Sequence, residues 1–215
     1  GIGAFGLMSG GAWGNKQGEY GGATPVHLMA WSKYKSDGSL CYKDILSLMG
    51  TENTANYNGV VFELPDNISS NTSSVALYHT THTNFNTKII NISGKTKEYF
   101  MLENIGHDGY QAGLDYLLGG NDNTSGIAIW HIDDNQSNNG ADVNHKLVDL
   151  EEAAEAGMDN SSHSGKQTNL FFSGNKTEFS DSTDPNSKTY SGTSSGITID
   201  NISAAGDSMT FDVTF

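Results

Sequence analysis

A single cysteine, Cys41, stands in a chain of 215 residues, which excludes an internal disulfide framework and a Cys-based zinc knuckle. Positive charge is scarce as well: 11 Lys and Arg face 25 Asp and Glu, for a net charge of −14. A field of that sign opposes nucleic acid and anionic membranes as partners. No stretch approaches the apolar length of a membrane span. No histidine is followed by glutamate, so the H-E-x-x-H helix of zinc peptidases, with its two imidazoles on one face, is missing from these residues.

What the chain has in quantity is Gly, Asn, Ser and Thr between short apolar runs. Its hydrophobic content of 35% suffices for a packed core. The opening stretch GIGAFGLMSGGAWG is dense in glycine, which lets backbone turn tightly or approach another group closely. A helix is predicted over Pro25–Tyr34, with Thr24 as N-cap and Pro25 at the first helical position, and a short turn or helix over Lys43–Met49. From residue 59 the period becomes two. Val60–Leu64, Val75–Thr80, Thr87–Ile92, Glu98–Ile105, Gly126–Asp133, His145–Glu152, Gly196–Ile202 and Ser208–Phe215 read as strands bounded by turn residues. No crossover helices separate them, so the expected fold class is mainly β, an antiparallel β-sandwich. Met158–Ser195 reads as a long polar loop region anchored by Leu170–Phe172 and Phe179.

One stretch, His131–Ala153, crowds carboxylate and amide oxygens between two strands. Calcium takes six to eight oxygen ligands, and Asp133, Asp134, Asp142, Asp149 and Glu151 are candidates for it. An EF-hand register starting at Asn135 puts Gly140 correctly but brings Lys146 to the twelfth position, so any site here is irregular. A solvated acidic loop is the other reading. His79 and His82 fall on opposite faces of a strand. His27 and His131, each alone in its element, read as structural.

Several of these stretches, taken in order, resemble the immune inhibitor A family of secreted bacterial zinc metallopeptidases. They are GLMSGGAWG, TPVHLMAWSKY, EYFMLEN, SGIAIWHIDD, VDLEEA, LFFSGN with Phe179, SGITIDNIS and MTFDVTF, and they span nearly the whole chain. The resemblance implies that Met8 is the methionine of a Met-turn beneath the zinc, and that Trp13, His27 and Trp31 belong to the wall beside the cleft. It implies a remnant of the catalytic domain over residues 1–45, holding the Met-turn and C-terminal helix of a metzincin-like domain, and a β-sandwich over residues 46–215. The zinc ligands would lie upstream of Gly1, the substrates would be proteins, and the chain alone would be inactive. Structural calcium on the carboxylates named above also follows from the family. Met8 and its apolar neighbours Phe5, Leu7, Trp13, Leu28 and Trp31 should then pack partly on the sheets and partly on an open face. The alternative is a non-catalytic β-sandwich module for glycans or cell surfaces, using Tyr110, Tyr116 and Tyr190 as exposed stacking rings.

Overall fold

The computed structural model describes residues 1–26, 28–35, 61–63, 73–78, 87–92, 94–106, 111–119, 125–139 and 142–215. Among the described residues eight strands make two sheets. They are β1 (Val61–Glu63), β2 (Ser73–Tyr78), β3 (Thr87–Asn91), β4 (Glu98–Ile105), β5 (Gly126–Asp133), β6 (Val148–Leu150), β7 (Thr198–Asp200) and β8 (Ser208–Thr214). The larger sheet runs β1-β3-β4-β5-β6 and the smaller β2-β8-β7. The chain is mainly β, with antiparallel pairing throughout except β1 and β3, which run parallel. That one pair departs from the all-antiparallel expectation, because β1 is joined to its neighbour only through the intervening β2 of the other sheet.

Central strands β4 and β5 are buried along their whole length, as strands covered on both faces must be. Alternate residues feed separate cores. Phe100, Leu102, Ile127 and Ile129 meet Ile199, Met209, Phe211 and Val213 of β7 and β8, so the smaller sheet covers one face. Phe179, from the polar loop region, plants its ring edge-on against Phe100 and Phe171, with centroids 5.2 and 5.9 Å away; such pairs add ~1 kcal/mol each beyond area burial. On the other face Met101, Trp130 and Ile132 pack against Phe5, Val26, Met29 and Leu114.

That second cover comes from the N-terminal segment, helix α1 (Ala30–Lys35) and the short helix α2 (Leu114–Leu117). Helix α1 begins five residues later than Pro25, and Thr24 does not cap it. Val26 is instead drawn into the core with its N–H on the Gly11 carbonyl at 3.0 Å. The helix starts where the buried Glu103 carboxylate accepts the Ala30 N–H at 2.9 Å. Residues 43–49 lie outside those described. Helix α2, hidden among glycines in the sequence, went unanticipated.

The opening glycines serve this segment's own packing. A Cβ at Gly3, whose φ is +45°, would stand 2.0 Å from the Ser164 carbonyl oxygen, and the adjacent Ala4 N–H donates to that oxygen. At Gly11 a Cβ would stand 2.2 Å from Val26 Cγ2. Close backbone approach, within the segment and to residue 164, is what these positions require.

Candidate functional site

With its backbone pinned, the N-terminal turn presents large apolar side chains to solvent. Met8 is 80% exposed and Trp13 69% exposed, while Phe5, between the same glycines, is 1% exposed. Across from Met8 stands the exposed Val143 of the β5–β6 connection, and a cleft of about 690 Å³ runs between them over Ile2 and Met158. Trp31 and Leu28 are half-buried. His27 lies outside the described residues.

Trp31 is positioned by Asp134, whose carboxylate gathers three donors from two segments. It accepts Trp31 Nε1–H at 3.2 Å, the Lys35 ammonium at 2.5 Å and the Tyr99 hydroxyl at 3.0 Å. Asp134 therefore ties α1 to the start of β4 and the end of β5.

The other calcium candidates are equally occupied, each in its own place. Asp133 accepts the Asn135 backbone and side-chain N–H groups at 2.9 and 2.7 Å and lies 2.7 Å from His145 Nε2. Asp142, exposed, caps the Asn144 N–H at 2.8 Å. Asp149 pairs with the Lys146 ammonium at 3.0 Å, and Lys146 also contacts Asp159. Glu151 faces His131. Among the described residues no three His, Cys, Asp or Glu side chains converge in a way that could hold a metal ion. As arranged, the five carboxylates the sequence singled out each face different partners.

What the strands do assemble is a buried ionisable network. Phe100 pairs with His131 in register, and His131 with Asp149, so Glu98 and Glu151, two residues along, flank the imidazole on the same sheet face. His131 is 3% exposed. Its Nδ1 lies 3.1 Å from Glu151 Oε1 and its Nε2 3.2 Å from Glu98 Oε1. Both nitrogens can donate only when the ring carries its proton. Tyr190 then stacks on His131 at 4.0 Å with an 11° interplanar angle, and His145 stacks on the far side of Tyr190 at 4.3 Å. The Tyr190 backbone N–H donates to Glu98 at 2.6 Å. Its hydroxyl is buried without a well-formed hydrogen bond, although the Lys146 backbone acts on it. With Phe100 tilted against it at 4.5 Å and Tyr190 stacked on it, His131 offers no ring face to a substrate. The network holds charge inside the fold and does not present it.

Its titration follows from these contacts. Burial alone would lower the His131 pKa, but hydrogen bonds to Glu151 and Glu98 outweigh it and raise it above the ordinary 6.5. Burial raises Glu151, and His131 offsets this only in part. Glu98 feels burial too, yet hydrogen bonds from His131 and Tyr190 bring it below 4.5. A group that binds its proton more tightly when folded adds stability below its unfolded value and loses it as pH rises through the folded one. His131 and Glu151 both act in that direction: the contribution of Glu151 declines as pH rises above 4.5 and that of His131 as it rises above 6.5. Glu98 acts oppositely, losing its contribution as pH falls through its lowered folded value. A His131→Phe variant should therefore lose less melting temperature than the parent as pH rises above 6.5. An equal loss in both would contradict this assignment.

Tyr190, expected as an exposed stacking ring, is half-buried with its ring stacked on His131 and His145. Of the three tyrosines named for glycan contact, Tyr116 is 51% exposed and Tyr110 lies outside the described residues. Residues 192–196 read G-T-S-S-G, a match to the nucleophile-elbow pattern. They lie in a loop between Thr189 and β7 and not in a strand-to-helix turn. There the Ser194 hydroxyl donates to Asp181, and among the described residues no histidine contacts it.

Among the described residues no helix is long and apolar enough to cross a membrane. No family model, curated protein or solved structure matches this chain.

Proposed function

We propose that the chain is the C-terminal part of a secreted bacterial zinc metallopeptidase of the immune inhibitor A type. In this reading Met8 is the Met-turn methionine, residues 1–45 belong to the catalytic unit, and the two sheets form the β-sandwich of residues 46–215 that supports the cleft. The exposure of Met8 and Trp13 carries the reading. A turn held by backbone hydrogen bonds and glycine contacts has no folding reason to aim Met8 and Trp13 outward while Phe5 is buried, and apolar surface of this kind marks a place where other structure packs.

The residues of this chain do not fit a catalytic zinc. H-E-x-x-H does not occur in them, and the described residues hold no convergent ligand set. Zinc, which polarises the scissile carbonyl and activates water when bound, would be held upstream of Gly1. What this chain would contribute is the apolar floor at Met8 and a wall at Trp13 and Trp31, the latter fixed by Asp134. Met suits a floor of irregular shape because it is unbranched and adaptable.

The test is to read the DNA immediately 5′ of the Gly1 codon. An encoded H-E-x-x-H in a helical pattern supports the reading; a stop codon or an unrelated domain overturns it. In the longer protein, Met8→Ser is expected to lower zinc-dependent peptidase activity roughly tenfold, the scale at which supporting groups act on a metal site. In the 215-residue chain the same substitution should leave urea stability within about 0.5 kcal/mol, because the side chain touches little there.

A further inference from the structure

Two histidines of this fold are set in opposite ways. His131 lies between two carboxylate acceptors, so the fully protonated ring fits there. His163 lies between an acceptor and a donor. Its Nε2 is 2.7 Å from the Glu155 carbonyl oxygen, and the Gly165 N–H donates to its Nδ1 at 3.1 Å. A carbonyl only accepts and a backbone N–H only donates. The ring that satisfies both therefore carries one proton, on Nε2, and keeps a lone pair on Nδ1. A second proton would aim one N–H at another. The ring has little room to turn: its side chain is 17% exposed, and a Cβ at Gly157 would stand 2.8 Å from Nε2.

What His163 steadies is the fastener of the N-terminal segment. The Ser164 carbonyl accepts the Ala4 N–H at 2.6 Å. Gly165 is buried against the Phe5 ring, where an added Cβ would stand 2.8 Å from Cε2. Ala4 and Phe5 are the root of the turn that carries Met8. The charged groups around the imidazole are already engaged. Glu152 Oε2 lies 3.9 Å from Nε2, beyond hydrogen-bond reach, and accepts the Gly157 and Met158 N–H groups. The Glu155 carboxylate is held by Lys166 and Thr168. Lys146 and Asp159, which share the cleft with His163, contact each other. The Gly1 amine, its pKa lowered to about 6 by burial, pairs with Asp149 at 2.8 Å in its protonated form. Acid therefore tightens that contact and works against the one at His163.

The geometry points to an acid-sensitive clasp: a second proton on His163 deprives the Gly165 N–H of its acceptor, and the 164–165 backbone then releases Ala4 and Phe5. Histidine changes charge between pH 5 and 8, and a buried donor left without an acceptor is unfavourable. The N-terminal segment opens locally while the two sheets stay folded. The clasp is a property of these residues and does not depend on the peptidase reading. A proton taken up at one side chain is thus read out as the loosening of the turn that carries Met8.

The test is amide hydrogen exchange, followed by NMR on the 215-residue protein from pH 8 to pH 5. Each rate is divided by the intrinsic rate at that pH. Protection at Ala4 and Gly165 is expected to fall at least about tenfold, the scale of one lost hydrogen bond. The fall should share its midpoint with the titration of the His163 ring signals, and protection at Met101 and Trp130 in β4 and β5 should not follow it. At pH 8 the ring nitrogen shifts should place the proton on Nε2. His163→Gln keeps a donor for Glu155 and takes up no charge, so its Ala4 protection should hold to pH 5. If that variant does not fold, the two midpoints in the parent decide. Unchanged protection at Ala4, a midpoint different from that of His163, a proton on Nδ1 at pH 8, or an equal fall in His163→Gln would each overturn the proposal.

Discussion

Replacing His131 with alanine is expected to destabilise the fold by about 3–5 kcal/mol near neutral pH, the range seen when one partner of a buried charge set is removed. The imidazole sits between Glu98 Oε1 and Glu151 Oε1, and both carboxylates have little contact with water, with side chains 7% and 17% exposed. Without the cation that lies between them they lose the hydrogen bonds that both make to its ring. Acid should reduce the loss, because a protonated Glu151 no longer needs a counter-charge and its pKa is already raised by burial. Urea unfolding at pH 7 and at pH 5 therefore separates two causes. A penalty that shrinks on acidification belongs to the unpaired carboxylates. An equal penalty at both values belongs to the cavity, and would mean that the network contributes packing alone.

Gly11→Ala should cost about 3 kcal/mol or more, the upper end of what overpacking a rigid site produces. The new methyl carbon would stand 2.2 Å from Val26 Cγ2, 2.7 Å from the Ala4 carbonyl oxygen and 2.8 Å from the Gly6 carbonyl oxygen. Two of these are backbone atoms, and Val26 is 2% exposed in the core, so none can step aside cheaply. The turn must open, and with it the hydrogen bond from Val26 N–H to the Gly11 carbonyl. Gly206→Ala is the matched control. Nothing lies within 4 Å of its Cβ position, so it should be neutral within about 0.5 kcal/mol. If the two variants melt together, the N-terminal turn is not packed as described.

The strands were legible where a short apolar run of strand length stands between turn residues. Glu98–Ile105 and Gly126–Asp133 were readable to the residue, because each is such a run, apolar at its centre as a strand covered on both faces must be. Pro25 misplaced the start of α1, since a proline at a good helix start is only a local preference. Val26 gains more by entering the core, and the Glu103 carboxylate, 73 positions away, marks the true first turn. The ionisable network was illegible for a related reason. Nothing in HIDD or EYFML says that Glu98 will lie beside His131; that follows only from the register of β4 on β5. Once that pairing is known, a histidine in an apolar strand with glutamates two residues along on the flanking strands is a recognisable signal. In the oxygen-rich stretch, proximity in sequence does not carry over to shared partners. Neighbouring carboxylates on a strand point to opposite faces, so Asp133 and Asp134 end on different partners.

The ties that hold the N-terminal segment have a bearing on the order of folding. Ala30 is held by a residue 73 positions away, Trp31 by one 103 positions away, and Ala4 by Ser164. During synthesis the segment leaves the ribosome well before its fasteners, which emerge long after it. Closing loops of that length is entropically unfavourable until the central strands already stand together. The segment is therefore the last piece to settle, and until β5 and residue 164 arrive, Phe5, Val26 and Met29 travel uncovered. A nascent chain built this way has a long interval in which this segment is exposed and sticky.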